Sequence, residues 1–438
     1  MSKPSLRRIF FLCVVCAAGA IDSPAQTFTT LASFDGADGA YASFGSLVQG
    51  FDGNFYGTTY GGGANQAGAV FKVTPSGALT TLYSFCAQAA CTDGSSPEAG
   101  LVLATNGNFY GSTTAGGASG DGTVFEITPA GTLTTLHSFD GTDGATPFDA
   151  PVQATDGNFY ATTPGGGAYG QGTVFKMTPS GTLTTLYSFC AQAGCPDGSD
   201  PEGGLIQGTD GNFYGTTNSG GTSSGCGSDG CGTVFKITPA GTLTTLHSFQ
   251  DSDGDNPYDA LVQATDGNFY GTTHNDGIDG DGTVFQITPG GTLTTLHQFD
   301  GTDGENPLGG LLQATDRNLY GTTFYGGAVG DGTVFRISTS GTLTTLYNVW
   351  GINAAGQVFR YDSQLQSWDS VPGILTSLAV AFDGTVWGVN SAQQVWRYNV
   401  QTQGWDSIAG QMSQISVGAD AVVWGVNANA SGQSYQYW

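Results

Sequence analysis

A block of about fifty residues recurs six times between roughly residue 45 and residue 347, each copy reading DGNFYGTT, then GTVFKITP, then GTLTTLHSF with small changes. Tyr56, Tyr110, Tyr160, Tyr214, Tyr270 and Tyr320 hold one equivalent position in the six copies. Such a period decides the architecture first, because each unit of a repeat array packs mainly on its neighbours and must show them the same faces.

Each block contains four short runs rich in Val, Phe, Tyr and Thr, separated by Gly, Pro, Asn and Asp. In the second block they are Leu101 to Ala104, Asn108 to Thr113, Gly122 to Thr128 and Thr132 to Phe139. These are strand and turn signals. Composition agrees: 72 Gly, 26 Phe and 18 Tyr with only 10% charged residues favour short strands and tight turns over helices. Four strands per block is the unit of a β-propeller blade, so the expected fold is all-β, a propeller of four-stranded blades with no helix longer than about two turns after the N-terminal segment.

Asn106-Gly107, Asp156-Gly157 and Asp210-Gly211 precede the second strand, and Pro129 to Gly131 or Pro179 to Gly181 precede the fourth. Both read as tight hairpin connections. In an antiparallel blade they share one face, which sends the longer second-to-third and blade-to-blade loops to the other. The Tyr marks lie 54, 50, 54, 56 and 50 residues apart, and each excess over 50 coincides with an insertion carrying a Cys pair. Insertions therefore collect on the long-loop face, where binding surfaces of repeat proteins tend to form.

Residues 1–25 carry Lys3, Arg7 and Arg8 ahead of an apolar run, with Ser23, Pro24 and Ala25 at a cleavage position. This reads as a secretory signal, since the apolar run falls short of the roughly 20 residues that span a bilayer. The remaining cysteines form three C-x4-C pairs, Cys86/Cys91, Cys190/Cys195 and Cys226/Cys231. Local disulfides in a secreted, periplasmic or outer-surface protein fit this spacing better than a metal centre, because the pairs belong to different repeats and have few His neighbours. The net charge of −25 with dispersed Lys and Arg excludes a nucleic-acid backbone as the natural partner. No transmembrane segment is expected after signal removal.

The repeated DGNFYGTT, GTVFKITP and GTLTTLHSF motifs resemble the GloVer tandem repeats of exported bacterial proteins over about residues 45–347, within an expected domain of residues 26–347 that adds an N-terminal closing strand to six such blades. The resemblance implies a secreted or surface repeat protein without an established activity. This chain departs from that pattern in lacking an apolar C-terminal helix with a basic tail.

Beyond Leu346 a second period of 37 residues begins, with VWGIN at Val349 and VWGVN at Val386 and Val423, and with QVFRYD (Gln357 to Asp362) answered by QVWRYN (Gln394 to Asn399). Residues 348–438 resemble tectonin repeats, which also build propellers and in several members bind glycans or lipopolysaccharide. Two copies and a shortened third are too few to close a ring. The N-terminal TFTTLASF (Thr27 to Phe34) copies a fourth strand without its first three, so it is available as a closing strand. It can complete a ring of six GloVer-type blades or seal one larger ring that includes the tectonin-like repeats.

Catalytic signals are weak. His137, His247 and His297 fall where sister repeats place Tyr83 and Tyr187, so they read as interblade packing, and His274 alone is off-pattern. GTSSG at Gly221 and GCGSDG at Gly225 match a nucleophile elbow and a dinucleotide fingerprint, but neither opens a helix. No enzyme is expected. Asp251, Asp253 and Asp255 in a blade-to-blade loop share a face with Asp276, Asp279 and Asp281 of the same repeat, a set that reads as solvated turn residues or as a calcium site. Trp350, Trp387 and Trp424 read as blade packing, whereas Trp368, Trp396 and Trp405 are candidate stacking platforms for a sugar ring. The expected function is a binding module for glycan or lipopolysaccharide, with an adhesive repeat protein lacking any small ligand as the alternative. A polysaccharide-active enzyme ranks third.

Overall fold

The computed structural model describes residues 31–438 apart from 43–44, 224–225, 227–228, 278–279, 328–329, 346–349, 354, 363–366, 381–385, 400–403, 412–413, 418–422, 427–433 and 438. The secretory-signal reading of residues 1–25 falls outside them.

The described chain is all-β: seven four-stranded and two three-stranded antiparallel sheets follow one another along the sequence. One single-turn 3₁₀ segment, Ala89–Cys91, interrupts them. Blades one to six span residues 48–84, 102–138, 152–188, 206–248, 262–298 and 312–345. Blade two shows the plan: Val102–Leu103, Phe109–Thr113, Thr123–Ile127 and Leu133–Ser138 pair in order as an up-and-down meander. The later sheets span residues 350–374, 377–411 and 414–437. Leu343–Thr345 and Trp350–Ile352 belong to different sheets, as the missing turn between the two repeat types requires.

Chain contacts divide the molecule into two units, one of Thr30–Phe299 with Asn306–Leu311 and the other of Asp300–Glu305 with Leu312–Trp438. The first holds blades one to five.

Its core lies between blades. The second and third strands are buried almost throughout, because Tyr, Phe and Val alternate with Gly and Thr and both sheet faces meet a neighbour. Each block's Tyr stacks on the next block's Phe: Tyr56 on Phe109, Tyr110 on Phe159, Tyr160 on Phe213 and Tyr214 on Phe269, with centroids 3.9 to 4.1 Å apart. A second series places Phe85 edge-on to Phe125, Phe139 to Phe175, Phe189 to Phe235 and Phe249 to Phe285. Each aromatic contact adds about 0.5–1.5 kcal/mol to the apolar burial. The repeated FY pair is thus the joint between blades.

The N-terminal segment enters the same scheme. Phe34 lies edge-on to Phe71 at 4.9 Å, continuing the Phe85–Phe125 series. Leu31 lies against Gly77 just as Leu82 lies against Gly131, where a Cβ would meet the neighbouring carbonyl. Residues 31–34 therefore occupy, beside blade one, the place that a fourth strand takes beside the following blade.

The hairpins show why their motifs recur. Gly107 N–H donates to Ala104 O at 2.9 Å with φ +84°, and Gly131 N–H donates to Thr128 O at 2.9 Å with φ +90°. Both need a left-handed residue at the turn's end, which glycine supplies without steric cost. The tight turns and the long loops emerge on opposite faces, as the block pattern predicts.

Candidate functional site

The acidic loops of the long-loop face divide into structural carboxylates and a second, deeper group. In the structural set, Asp93 is fully buried and accepts from Tyr83 Oη at 2.8 Å, Ala87 N at 2.9 Å and Gln88 N at 3.2 Å. Asp197 accepts from Tyr187 Oη at 2.8 Å, while Asp143 and Asp253 lie 2.7 and 2.9 Å from His137 and His247 Nε2. His137 and His247 therefore hold the following loop by a hydrogen bond to its Asp, which explains why Tyr and His exchange there. Packing alone does not describe them, although each ring also lies edge-on to Phe139 or Phe249.

This bears on the six aspartates read as a calcium set. Asp253 is committed to His247 and to Gln250 N at 2.7 Å. Asp255 and Asp276 do come together, and Asp251 raises the proton affinity of both through its charge. Burial and these neighbours push Asp255 up to about 6, and its Oδ1 is buried without a hydrogen-bond partner among the described residues. The Cys226–Cys231 disulfide from blade four's insertion packs on them, with Cys226 Sγ 3.2 Å from Asp251 Oδ1 and 3.8 Å from Asp276 Oδ2. Asp281 contributes its carbonyl to Asn306 N–H at 2.8 Å. Asp279 lies outside the described residues.

All three Cys pairs are bonded, with Cα separations of 4.0 Å for Cys86–Cys91, 4.1 Å for Cys190–Cys195 and 5.2 Å for Cys226–Cys231.

Three tryptophans take part in packing among the described residues. Trp396 and Trp405 are half-buried against Val358, Val371, Leu375, Val386 and Tyr398, and Trp405 lies edge-on to Tyr398 at 5.4 Å. Trp387 is buried with Val389, Val395 and Ile415. The Trp368 side chain lies outside the described residues.

The second group of carboxylates was not singled out by sequence. Glu98, Glu202, Asp149 and Asp259 sit one or two residues after the Pro that leads into a first strand, in blades two, four, three and five. Glu98 raises the proton affinity of Glu202, and Asp259 that of Asp149. Each pair links non-adjacent blades, which come within electrostatic reach of each other only near a common centre. We call this the hub.

Hub carboxylates are crowded and short of positive charge. Burial first, then Asp259, push Asp149 up to about 8, although Gly204 N–H donates to it. Burial, Asp200 and Glu98 push Glu202 up to about 7, and burial raises Asp259, Asp200 and Glu98. No Lys or Arg contributes to any of these shifts. All five residues nevertheless keep partial solvent exposure.

Around them stand Asn218 and His274, each the residue that follows a second strand, and Tyr258. Asn218 is 8% exposed, its amide lies within hydrogen-bond reach of Asp200 and Tyr258, and its Oδ1 has no partner among the described residues. His274 lies edge-on to Tyr258 at 5.2 Å, and burial holds its imidazole toward the neutral form. Before the Pro, Ser96, Thr146, Asp200 and Asn256 take φ between +52° and +58°, so this strained bend recurs while its side chain changes. The readable signal was this: within a block that otherwise repeats, the residues flanking the Pro and following YGTT do not. His274 was the single member that stood out.

The fold and repeat grammar define a protein built of tandem propeller-type blades. The chain belongs to the family of the Gloeobacter/Verrucomicrobia repeat, whose model matches residues 19–227, 148–387 and 221–435. No curated protein matches the sequence. Among solved structures it is similar to the tricorn protease, at 12% identity and TM-score 0.35 over 84% of this chain and 37% of that one. It is also similar to a periplasmic gluconolactonase of Pseudomonas aeruginosa (17%, TM-score 0.41, 81% of this chain and 96% of that one). A gluconolactonase of Xanthomonas campestris stands at 13% and TM-score 0.37, with 68% and 91% covered. No helix among the described residues is long and apolar enough to cross a membrane.

Proposed function

We propose that this protein is an exported binding module that recognises a polyhydroxylated ligand, a glycan of the cell surface or its surroundings, at the hub of blades two to five. The observation that carries the reading is the convergence of non-repeating polar positions. Carboxylates, a buried amide, an imidazole and the Tyr258 ring come together within a framework whose other positions repeat. Carboxylates and amides accept and donate to sugar hydroxyls, and an aromatic ring supplies the apolar face such ligands need. Three disulfides support export, since they persist in oxidising compartments. The packing of Trp396 and Trp405 favours the hub over the C-terminal repeats as the recognition surface.

Binding, rather than turnover, is the activity proposed. The test is a glycan array probed with the parent, with Glu202→Gln and Tyr258→Ala, and with Trp396→Ala. Loss of a glycan signal in both hub variants alone supports the reading. Loss in Trp396→Ala alone moves recognition to the tectonin-like repeats, and no signal in the parent favours an adhesive role without a small ligand. A hydrolase or lyase assay on any glycan retained separates binding from catalysis.

A further inference from the structure

The Cys226–Cys231 disulfide differs from the other two in its surroundings. Beside the sister pairs, Asp93 and Asp197 turn their carboxylates to Tyr83, Tyr187 and backbone N–H groups. In blade four's insertion the carboxylates meet the sulfur atoms themselves. Cys226 Sγ lies 3.2 Å from Asp251 Oδ1 and 3.8 Å from Asp276 Oδ2, and Cys231 Sγ lies 3.9 Å from Asp251 Oδ1. Two donor sets share Cys226, one with Cys231 and Asp251 and one with Asp255 and Asp276, and within each set the ligand atoms lie within 4.8 Å of one another. A disulfide sulfur carries no proton, so in the bonded state these carboxylates face atoms that donate nothing to them.

The backbone holds the donors together from separate loops. Cys231 O accepts from Asn256 N at 3.2 Å, Asp251 O accepts from Gly277 N at 2.8 Å, and Asp255 and Asn275 exchange bonds of 2.9 and 3.1 Å. Cys231 is fully buried, and Asp255 Oδ1 is buried with no hydrogen-bond partner among the described residues. Nor does any Lys, Arg or His among the described residues pair with Asp251, Asp255 or Asp276. Two thiolates with two carboxylates make a ligand set for a borderline divalent cation such as zinc, which takes four sulfur, nitrogen or oxygen donors tetrahedrally.

We propose that this cluster is a redox-gated metal site: with the Cys226–Cys231 bond reduced, the two thiolates, Asp251 and one of Asp255 and Asp276 bind a divalent cation of the zinc class, and closing the disulfide releases it. In the reducing step a dithiol supplies two electrons and two protons. The S–S bond breaks to two thiols while the dithiol closes to its own disulfide. The cation then displaces both thiol protons to solvent as two sulfur–metal bonds form. Exchange with a disulfide oxidant runs the sequence backwards and frees the cation. The site does not depend on glycan recognition at the hub.

The test uses the full chain, reduced with a phosphine, freed of reductant without air and titrated with cobalt, whose thiolate charge-transfer band reports sulfur ligation. Zinc is then added in competition. Companion variants are Cys226→Ser/Cys231→Ser, Cys86→Ser/Cys91→Ser, Cys190→Ser/Cys195→Ser and Asp251→Asn/Asp276→Asn. Thermal unfolding checks that each reduced chain keeps its blades, as the loss of such small disulfide loops allows. The expected result is a saturable band with one cobalt bound and two protons released per chain, abolished by zinc and by re-oxidation. The band should vanish in Cys226→Ser/Cys231→Ser and persist in the other two cysteine variants. Cobalt affinity should fall about tenfold or more in Asp251→Asn/Asp276→Asn, at least the scale of losing a group that supports a metal. The proposal is overturned by a reduced parent that shows no band or loses its fold, or by a band that survives in the folded Cys226→Ser/Cys231→Ser chain. It is equally overturned by unchanged affinity in the aspartate variant, or by equal cobalt uptake of the oxidised chain in equilibrium dialysis.

Discussion

Tyr110 donates its hydroxyl to Glu126 at 2.9 Å, whereas its counterpart Tyr160 donates to Asp156 at 3.0 Å. Blade two has exchanged two residues at once: Asn106 stands where other blades have Asp, and Glu126 stands where blade three has Lys176. The Tyr hydroxyl keeps one carboxylate acceptor in both arrangements. In blade three Lys176 then pairs with Asp156 at 3.0 Å, and the pairing with Asn158 and Lys176 holds Asp156 down to about 2. In blade two Asn106 and Asn108 donate to Glu126 instead.

This exchange predicts a coupled pair. Asn106→Asp alone sets a second carboxylate beside Glu126, and Glu126→Lys alone removes the only carboxylate from Tyr110. The double variant should recover the blade-three arrangement, with a favourable coupling of about 0.5–1 kcal/mol, small because the groups are partly solvated. Denaturant unfolding of the four-member cycle measures it. Additive losses would show that the two positions vary independently.

Asp93 should matter more than its rim counterparts. Asp93→Ala strands the Tyr83 hydroxyl and two backbone N–H groups in a buried loop, at an expected cost of about 2–4 kcal/mol. Asp143→Ala, whose partner His137 is partly exposed, should cost less. Equal losses in urea unfolding would contradict this ranking.

Stability should fall as pH rises through the hub's titration. Asp149 and Glu202 bind protons more tightly folded, up to about 8 and about 7, than at their ordinary values of 3.8 and 4.5. Between about pH 4 and pH 8 the folded chain therefore holds more protons than the unfolded chain, and the slope of stability with pH is negative for these groups. Asp149→Asn should flatten the decline, read as melting temperature against pH in chelator. A decline unchanged in that variant would place its origin elsewhere.

The Asp251, Asp255 and Asp276 cluster makes its own prediction. If calcium relieves its repulsion, calcium should raise the melting temperature of the parent more than that of Asp251→Asn/Asp276→Asn, both measured against chelator. Asp253 is the wrong position for this test because of its bond to His247. Equal shifts would mark the cluster as solvated surface.

Blades, hairpins and disulfides were legible because they rest on local chemistry repeated in register: FY joints, glycine turns and C-x4-C loops each show themselves within a few residues. The role of His137 was half legible. Its exchange with Tyr was visible, yet the partner, Asp143, became evident only when the loop folded back. The hub was hidden for a different reason. Glu98 and Glu202 are more than a hundred residues apart, and nothing in either local sequence shows that alternate blades turn these positions toward one centre. Trp396 and Trp405 show the limit from the other side, since their even spacing is equally that of side chains packed part-way against a sheet, as both are here.

A carboxyl-carbon NMR titration of Glu202 in the full chain tests the hub most directly, with Glu98→Gln as the companion variant and chelator present throughout. The account predicts a midpoint of about 7 that moves down when Glu98 loses its charge, because two non-adjacent blades bring these groups together. A midpoint near the ordinary 4.5, unmoved by Glu98→Gln, would contradict the convergence on which the proposed binding site stands.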